Sequence, residues 1–517
     1  MMNTELKVIR SSARLMAPRR SHPLKPSLFL LGALAASLTI GLSSALAQTD
    51  YSFTNGGGTG LWNNASNWSP GDGPPLAGDN VVTPTAFSTL SLDISPTVGN
   101  WTYSSATSQF VRSVTVPRTL TITGTLSKSL GGTLTFNSVD ATNTLALGMG
   151  AVEVSGGTLD LGRRNVTASA LSTLSAGSAN ITGGSLRLNV SGAAAITGTA
   201  TLSGSGRLLL AEDIGVTRSV SVGALSSASS TAIVAANDSS ADASTGTLIL
   251  TASSGSADYA GQIKNSAGTN VVSVVSVQKD NAGTQIFSGN SNTYSGGTVV
   301  NAGTLLVNNT SGSGLGTGAV SVAGGNLGGT GIITPTGANG ITVASGGNIA
   351  PGASIGTLTL NLGSTTGTVN LTGGGDFKFE LGTANVSIGA IAAGSSDLLA
   401  VAGASASDVA FGGSNDINLL GTATAEGYYK LFDTSFDDTT WTGLTVGGIT
   451  TGGNLITGGL TASNYGGSFS GELILADGTA GTSAGDIYLH VVPEPATWGL
   501  LASGLTTVLV LRRRRQS

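Results

Sequence analysis

The chain has 517 residues, of which 79 are Gly, and only 9% are charged, about a third of the usual share in globular proteins. The absence of Cys excludes disulfide bonds, thiolate metal sites and cysteine nucleophiles. The only histidines are His22 and His490, so a multi-histidine metal site is excluded, and beyond residue 47 a Ser-His-Asp arrangement would depend on His490.

The N-terminal 47 residues have the three parts of a secretory signal peptide. Residues 1–27 carry six basic side chains and one acid, residues 28–42 are apolar, and Ala45-Leu46-Ala47 supplies small residues on both sides of Leu46. The apolar run is short for a membrane span. We therefore expect export through the Sec machinery and cleavage by signal peptidase between Ala47 and Gln48.

The region between the two termini is acidic. Residues 48–492 contain 12 Lys and Arg against 25 Asp and Glu, a formal charge near −13. An acidic surface repels phosphate backbones and anionic lipid headgroups. We therefore expect no nucleic-acid partner.

Short segments that begin with glycine recur through residues 48–364, and one more follows directly after this range. Segments of the form Gly-Gly-Thr-Leu or Gly-Gly-Ser-Leu begin at Gly131, Gly156 and Gly183, 25 and then 27 residues apart. Apolar residues alternate in each, as in a strand with one buried face. Related segments begin at Gly206, Gly246, Gly303, Gly356 and Gly367. This repeat, without sustained helical periodicity, predicts an all-β body that folds as a right-handed parallel β-helix, or β-solenoid, whose coils stabilise one another by stacking.

One stretch of this body carries a specific motif. Residues 293–309, TYSGGTVVNAGTLLVNN, closely resemble the autotransporter-associated β-strand repeat of passenger domains and large surface proteins. Residues 316–331 and 349–358 are also similar to that family, and residues 61–68 resemble the opening of such proteins more weakly. The resemblance is clearest over 285–360 and implies a β-solenoid.

Residues 365–491 are open to two interpretations, further β rungs or a small separate β domain. Five aromatic side chains lie close together in this part of the sequence: Tyr428, Tyr429, Phe432, Phe436 and Trp441. They are expected either to cover the end of the solenoid core or to stack on carbohydrate.

Acidic pairs are catalytic candidates, because parallel β-helices include polysaccharide lyases and hydrolases that need two carboxylates. Glu212 with Asp213, and Asp437 with Asp438, are adjacent, and adjacent residues on a strand point to opposite faces. They are interpreted as solvated loop charges.

A second group of charges has the spacing of one strand face. Asp376 and Glu380 would share a strand face with Lys378 between them. This spacing predicts a row of alternating negative and positive side chains, here called the charge ladder. His490 falls in an alternating segment and is expected on a strand surface. We predict no catalytic residue, cofactor or obligatory metal.

The C-terminal segment resembles a second known signal. Pro493-Glu494-Pro495 precedes an apolar segment at 496–511, predicted to be a transmembrane helix, and the cluster Arg512, Arg513, Arg514 and Arg515. This order, over residues 492–517, is similar to the PEP-CTERM sorting signal of Gram-negative bacteria. The resemblance implies transient anchoring in the inner membrane, cleavage near Pro-Glu-Pro by an exosortase-type protease, and delivery to the cell surface or extracellular matrix. An ordinary membrane anchor is the alternative.

Together these features favour an exported surface or matrix protein with a structural or adhesive role and no enzymatic activity. The alternatives are a polysaccharide-binding surface module, with extracellular polysaccharide as its partner, and a β-helix enzyme that degrades polysaccharide.

Overall fold

The computed structural model describes residues 48–493 with internal gaps. Outside the described residues lie 1–47, 84–86, 88, 115, 140–141, 163–170, 213–214, 239–242, 270–271, 337–339, 363–367, 404–408, 412–416, 421–426, 435–454, 458–468, 477, 479–480 and 494–517. The predicted signal peptide and the predicted helix at 496–511 therefore lie outside them. In the part of the chain that is described, no helix is long and apolar enough to cross a membrane.

Short strands make up nearly all of the regular structure. The first are β1 (Asp50–Phe53), β2 (Trp68–Ser69), which follows a 3-10 turn (Ala65–Asn67), β3 (Asn80–Thr83), β4 (Thr89–Leu92), β5 (Thr97–Val98), β6 (Trp101–Tyr103) and β7 (Gln109–Ser113). Long and short strands then alternate as β8 (Arg118–Lys128), β9 (Thr133–Ser138), β10 (Leu145–Val154), β11 (Thr158–Leu161), β12 (Thr173–Ile181), β13 (Ser185–Leu188), β14 (Ala194–Leu202), β15 (Arg207–Leu209), β16 (Thr217–Ser226) and β17 (Ile233–Asn237).

The strands of the second half are shorter. They are β18 (Thr245–Leu250), β19 (Ser256–Tyr259), β20 (Gln262–Ser266), β21 (Val274–Lys279), β22 (Thr284–Phe287), β23 (Thr298–Val300), β24 (Thr304–Val307), β25 (Val320–Val322), β26 (Asn326–Gly329), β27 (Ile332–Ile333), β28 (Ile341–Ala344), β29 (Asn348–Pro351), β30 (Thr357–Asn361), β31 (Val369–Gly373) and β32 (Asp376–Glu380). The last are β33 (Leu398–Ala402), β34 (Val409–Phe411), β35 (Ile417–Leu420), β36 (Gly427–Thr434), β37 (Leu455–Thr457), β38 (Phe469–Leu475) and β39 (Ile487–Pro493).

These strands stack in parallel along four sheets. Sheet 1 follows the order β1, β3, β6, β8, β10, β12, β14, β16, β18, β21, β23, β25, β28, β31, β34. Sheet 2 follows β4, β7, β9, β11, β13, β15, β17, β20, and sheet 3 follows β19, β22, β24, β26, β29, β32, β35. Sheet 4 runs in parallel from β27 through β30 and β33 to β36. The arrangement is an all-β solenoid.

The predicted repeat corresponds to one coil. Leu134, Leu159, Leu186 and Leu208 are direct register partners in sheet 2, and all four are buried. Each buried leucine contributes roughly 1.5–3 kcal/mol relative to an exposed one. The second glycine of the motif is needed for its backbone: Gly184 has a φ of +76°, and a Cβ there would lie 2.2 Å from the Gly157 carbonyl oxygen. The stacking that the repeat predicts is confirmed.

Similar glycine-led segments do not all occupy the same sheet. The segment at Gly246 lies in β18 of sheet 1, the one at Gly303 leads into β24 of sheet 3, and the one at Gly356 leads into β30 of sheet 4. The reason is that coil length varies. Register partners in sheet 1 are 20 residues apart for Leu174 and Ala194, but 29 apart for Leu248 and Val277.

In the first half, the long strands of sheet 1 share a line of glycines. Gly124, Gly150, Gly177, Gly198 and Gly223 lie where the register between neighbouring strands becomes irregular. A Cβ on Gly177 would lie 2.3 Å from the Gly150 oxygen. Glycine is therefore required here because the backbones of successive coils approach too closely for a side chain.

In the region of the recognised motif, side-chain amides replace a strand. Residues 288–297 form no strand. The buried Asn292 accepts a hydrogen bond from the Ile263 N–H (2.7 Å) and donates one to the Gly314 carbonyl (2.7 Å), joining the coil before to the coil after. Gln285 acts similarly inside the core, since its amide exchanges two hydrogen bonds with the Leu225 backbone (3.0 and 2.9 Å).

Residues 365–491 continue the solenoid sheets and then change direction. Strands β31, β32 and β33 pair in parallel with β28, β29 and β30. Strand β36 then pairs antiparallel with β39, which pairs with β38, and β38 with β37, so all of them extend sheet 4. Phe432 packs on Phe377 and Phe379 at ring distances of 5.0 and 5.3 Å, and Tyr429 is also buried.

Candidate binding surfaces

The outer face of sheet 1 carries a column of polar side chains, one from each successive coil. The column consists of Thr102, Ser127, Glu153, Asn180, Thr201 and Ser226. Each member is half-buried or exposed, and the Ser127 hydroxyl donates to Glu153 Oε2 (3.1 Å). Neighbouring strands lie about 4.8 Å apart, so hydrogen-bonding groups repeat at that spacing along the sheet. Such a surface can form many weak polar contacts with an extended partner.

Sheet 3 carries a groove of about 330 Å³ that is lined by two of the three residues of the predicted charge ladder. Asp376, Lys378 and Glu380 lie on the half-exposed face of β32, whereas Phe377 and Phe379 point into the core. This alternation places the charges on one face. Lys378 and Glu380 line the groove.

Lys378 connects coils that are not direct neighbours. Its Nζ donates to Asn326 Oδ1 (3.0 Å), although β29 lies between β32 and β26 in the sheet. The lysine stem therefore lies along the sheet surface, and the ammonium group is held above the groove.

Asp397 lies at the floor of this groove and was missed by the sequence analysis. Its carboxylate accepts hydrogen bonds from the Gly356 N–H (2.9 Å) and the Glu380 N–H (2.7 Å). Burial, with a smaller contribution from the neighbouring Glu380 charge, raises the pKa of Asp397 to about 7 even though the two backbone hydrogen bonds act to lower it. Both oxygens are used by backbone donors, so this carboxyl fastens the loop before β33 to two coils. An isolated Asp before an apolar strand gives no sequence signal for this role.

The prediction that Glu212 is a solvated loop charge is wrong, because its side chain is 1% exposed. It lies 3.7 Å from Arg187, which also pairs with Asp238 at 2.7 Å. Arg187 occupies a position within sheet 2 directly opposite Asp160, and its half-buried guanidinium is stabilised by the nearby carboxylates. Asp213, Asp437 and Asp438 lie outside the described residues.

The C-terminal aromatic residues divide between the core and the surface. Tyr429 and Phe432 are in the core, and Tyr428 stacks on His490 with ring centroids 4.3 Å apart and planes 10° apart. His490 lies half-buried in β39 opposite Tyr428. Phe436 and Trp441 lie outside the described residues.

The predicted processing residues are described only in part. Gln48 is exposed at the start of the described chain, and Pro493 is the last residue of β39, opposite Phe469. Ala47, Glu494, Pro495 and the four arginines from Arg512 to Arg515 lie outside the described residues. Within the described ranges, no group of three or more His, Asp or Glu side chains lies close enough to hold a metal ion.

One protein family matches part of this chain. The family is described as the Passenger-associated-transport-repeat, and it matches residues 277–307, from within β21 to the end of β24. This confirms the resemblance of the segment to autotransporter-associated repeats. The matched stretch includes Gln285 and Asn292, whose amides join its coils.

Among solved structures, the crystal structure of the Haemophilus influenzae Hap adhesin is similar, with a TM-score of 0.28 and 12% sequence identity. The match covers 81% of this chain and 53% of that chain, so the protein described here spans about half the length of the adhesin chain. No curated protein matches the sequence significantly.

Proposed function

We propose that this protein is an exported surface or extracellular-matrix protein with a structural or adhesive role. The observation that carries the proposal is the column on sheet 1, which presents hydrogen-bonding groups from six successive coils on one face. The similarity of residues 277–307 to a repeat of transported passenger domains supports export. The function rests on the outer face of the stack and requires no catalytic residue.

The route to the surface is part of the proposal. Residues 1–47 act as a signal peptide removed between Ala47 and Gln48, and residues 492–517 act as a PEP-CTERM signal for an exosortase-type protease. The position of β39 supports this division, because the strand ends at Pro493. Cleavage after Pro493 would leave the pairing of β39 with β36 and β38 intact.

Localisation in the native host tests the route. A chain lacking 494–517 keeps all of β39 and should be exported but released into the medium, whereas the full chain should be retained at the surface. Replacement of the four arginines from Arg512 to Arg515 by glutamine should leave an uncleaved precursor. Retention of the truncated chain at the surface, in the same amount as the full chain, would refute the sorting role.

Attachment assays test the adhesive role. Cells without the protein should adhere less to surfaces or to one another, and the full chain should restore attachment. Asn180→Glu removes an amide donor from the middle of the column and places a second carboxylate directly beside Glu153, so it should reduce attachment several-fold. Thr217→Glu adds the same charge at an exposed position outside the column and serves as the matched control. Equal attachment with and without the protein would contradict an adhesive role.

A further inference from the structure

The C-terminal end of sheet 4 encloses a pocket that is separate from the column on sheet 1 and the groove on sheet 3. Its volume is about 340 Å³, within the range of roughly 300–1,000 Å³ found for small-molecule sites. Its rim is formed by the loop 388–396 and by the segment 481–483. The two approach each other closely, since a Cβ on Gly481 would lie 3.3 Å from the Gly389 oxygen.

The lining of this pocket includes an ion pair with a buried carboxylate, Lys430 with Asp486. Lys430 Nζ lies 2.8 Å from Asp486 Oδ2 and 2.8 Å from Asp433 Oδ1. Asp486 is 1% exposed and also accepts hydrogen bonds from the Tyr488 hydroxyl (3.1 Å) and the Thr434 N–H (3.0 Å). Burying an ion pair is expensive and often contributes little to stability. Ionised groups held at the base of a pocket are characteristic of binding sites.

The pocket walls define the chemistry of the ligand. Ile388, Ile391 and Leu398 are apolar lining residues, and Ser395 and Ser483 are polar ones that line the pocket together with the ion pair. A suitable ligand therefore has one apolar face and several hydroxyl groups. Adjacent hydroxyl groups can donate to a carboxylate and accept from an ammonium group at the same time.

The charged residues of the lining give no preference for ionic ligands. Lys430 and Asp486 pair with each other at 2.8 Å, so together they present no net charge that would attract an anion or a cation. We propose that this pocket binds one ring of an uncharged saccharide. This proposal rests on the adhesive role proposed above, for which it supplies a ligand class.

Direct binding to the purified full-length chain tests the proposal. The probes are the methyl glycosides of glucose, galactose, mannose and N-acetylglucosamine, with glucuronate and glucosamine as charged comparators. Ligand-observed NMR and calorimetry should detect at least one neutral glycoside, bound at least tenfold more tightly than either charged sugar. Absence of binding by all four glycosides, or preference for a charged sugar, would overturn the proposal.

Two pairs of variants locate the bound sugar. Ala393 is an exposed lining residue, so Ala393→Trp should fill the pocket without touching the ion pair and weaken binding at least tenfold. Ala390→Trp, in the same loop but outside the lining, should bind normally. Lys430→Met should also weaken binding, whereas Lys378→Met, in the groove on sheet 3, should not. Normal binding by Ala393→Trp, or loss in Lys378→Met instead, would show that the sugar binds elsewhere.

Failure of saccharide binding and failure of the surface role can be distinguished by experiment. A chain that reaches the surface and supports attachment but binds no neutral saccharide refutes only the pocket. A chain that binds a saccharide through the pocket but never reaches the surface refutes only the surface role.

Discussion

The coils from β8 to β16 and the coils from β21 to β26 surround the same kind of aliphatic core, but their hydrogen bonds are arranged differently. In the first region, strands of 9 to 11 residues pair along sheet 1 and pass through a line of closely stacked glycines. In the second, strands of 3 to 6 residues are joined by buried amides such as Asn292 and Gln285.

The comparison shows that a solenoid coil needs its buried backbone groups satisfied and does not need a fixed set of strands. The glycine line allows backbones to stack directly. The amides take over where the chain leaves strand geometry. Coils of different length can therefore stack in one continuous sheet.

The first prediction concerns a substitution that removes the amide of Asn292, which connects two coils. Asn292→Leu preserves size but leaves the Ile263 N–H and the Gly314 carbonyl without their partner. Each such group costs about 1–3 kcal/mol, so we expect a loss of about 3 kcal/mol in the free energy of unfolding, measured by urea denaturation. Asn290→Leu is the control, because Asn290 is exposed and water can replace its contacts. Equal effects of the two substitutions would contradict the structural role of the buried amide.

The second prediction concerns a substitution in the line of glycines on sheet 1. Gly177→Ala places a Cβ 2.3 Å from the Gly150 oxygen and should destabilise the chain by about 2 kcal/mol, because the coils must separate. Gly148→Ala is the matched control, since a Cβ there has no neighbour within 4 Å. The control should be neutral or stabilising by about 0.5 kcal/mol. Thermal unfolding of both variants provides the comparison, and a stable Gly177→Ala protein would show that the stacking is looser.

The third prediction concerns a feature that both regions share. Lys128 is buried at a corner in the first region, where its ammonium group donates to the carbonyls of Ser129, Leu130, Gly131 and Gly156 at 2.7 to 3.2 Å. In the second region, buried Lys279 donates to the carbonyls of Asn281 and Ala302. Each lysine therefore links its own turn to the next coil.

Lys128→Met keeps the aliphatic stem but leaves these carbonyls without a donor, and should lower the free energy of unfolding by about 1.5 kcal/mol in urea denaturation at pH 7. Lys264→Met, at a half-exposed position on β20, is the control and should change it by less than about 0.5 kcal/mol. Unchanged stability in Lys128→Met would mean that the corner does not depend on the ammonium group.

The last prediction concerns Asp397, where a carboxyl group joins coils instead of an amide or an ammonium group. The pKa of Asp397 in the folded chain is about 7, above the ordinary value of 3.8, so folding favours its protonated form. The contribution of Asp397 to stability is therefore complete below about pH 4 and decreases as the pH rises to 7. Asp397→Asn should remove this slope from the urea midpoints measured between pH 4 and pH 8. An unchanged slope would assign the pH dependence to other groups.

Prediction from sequence succeeded where the signal was local and repeated. The alternation in the segments at Gly131, Gly156 and Gly183 gave both the strands and their stacking, because each coil contributes the same leucine to the core. It failed at Glu212, because burial of that residue depends on Arg187, a residue of another coil. Asp397, Lys430 and Asp486 were missed for the same reason, since no short pattern in the sequence links them.

The sequence by itself determined that the chain forms short strands with one buried face and that these strands stack, because side-chain alternation and glycine at positive φ are local properties. Only the tertiary structure decided which sheet each strand joins, since that depends on the number of residues in every preceding coil. It also decided which polar groups are buried together, because partners such as Lys430 and Asp486 meet only when β36 and β39 pair in opposite directions.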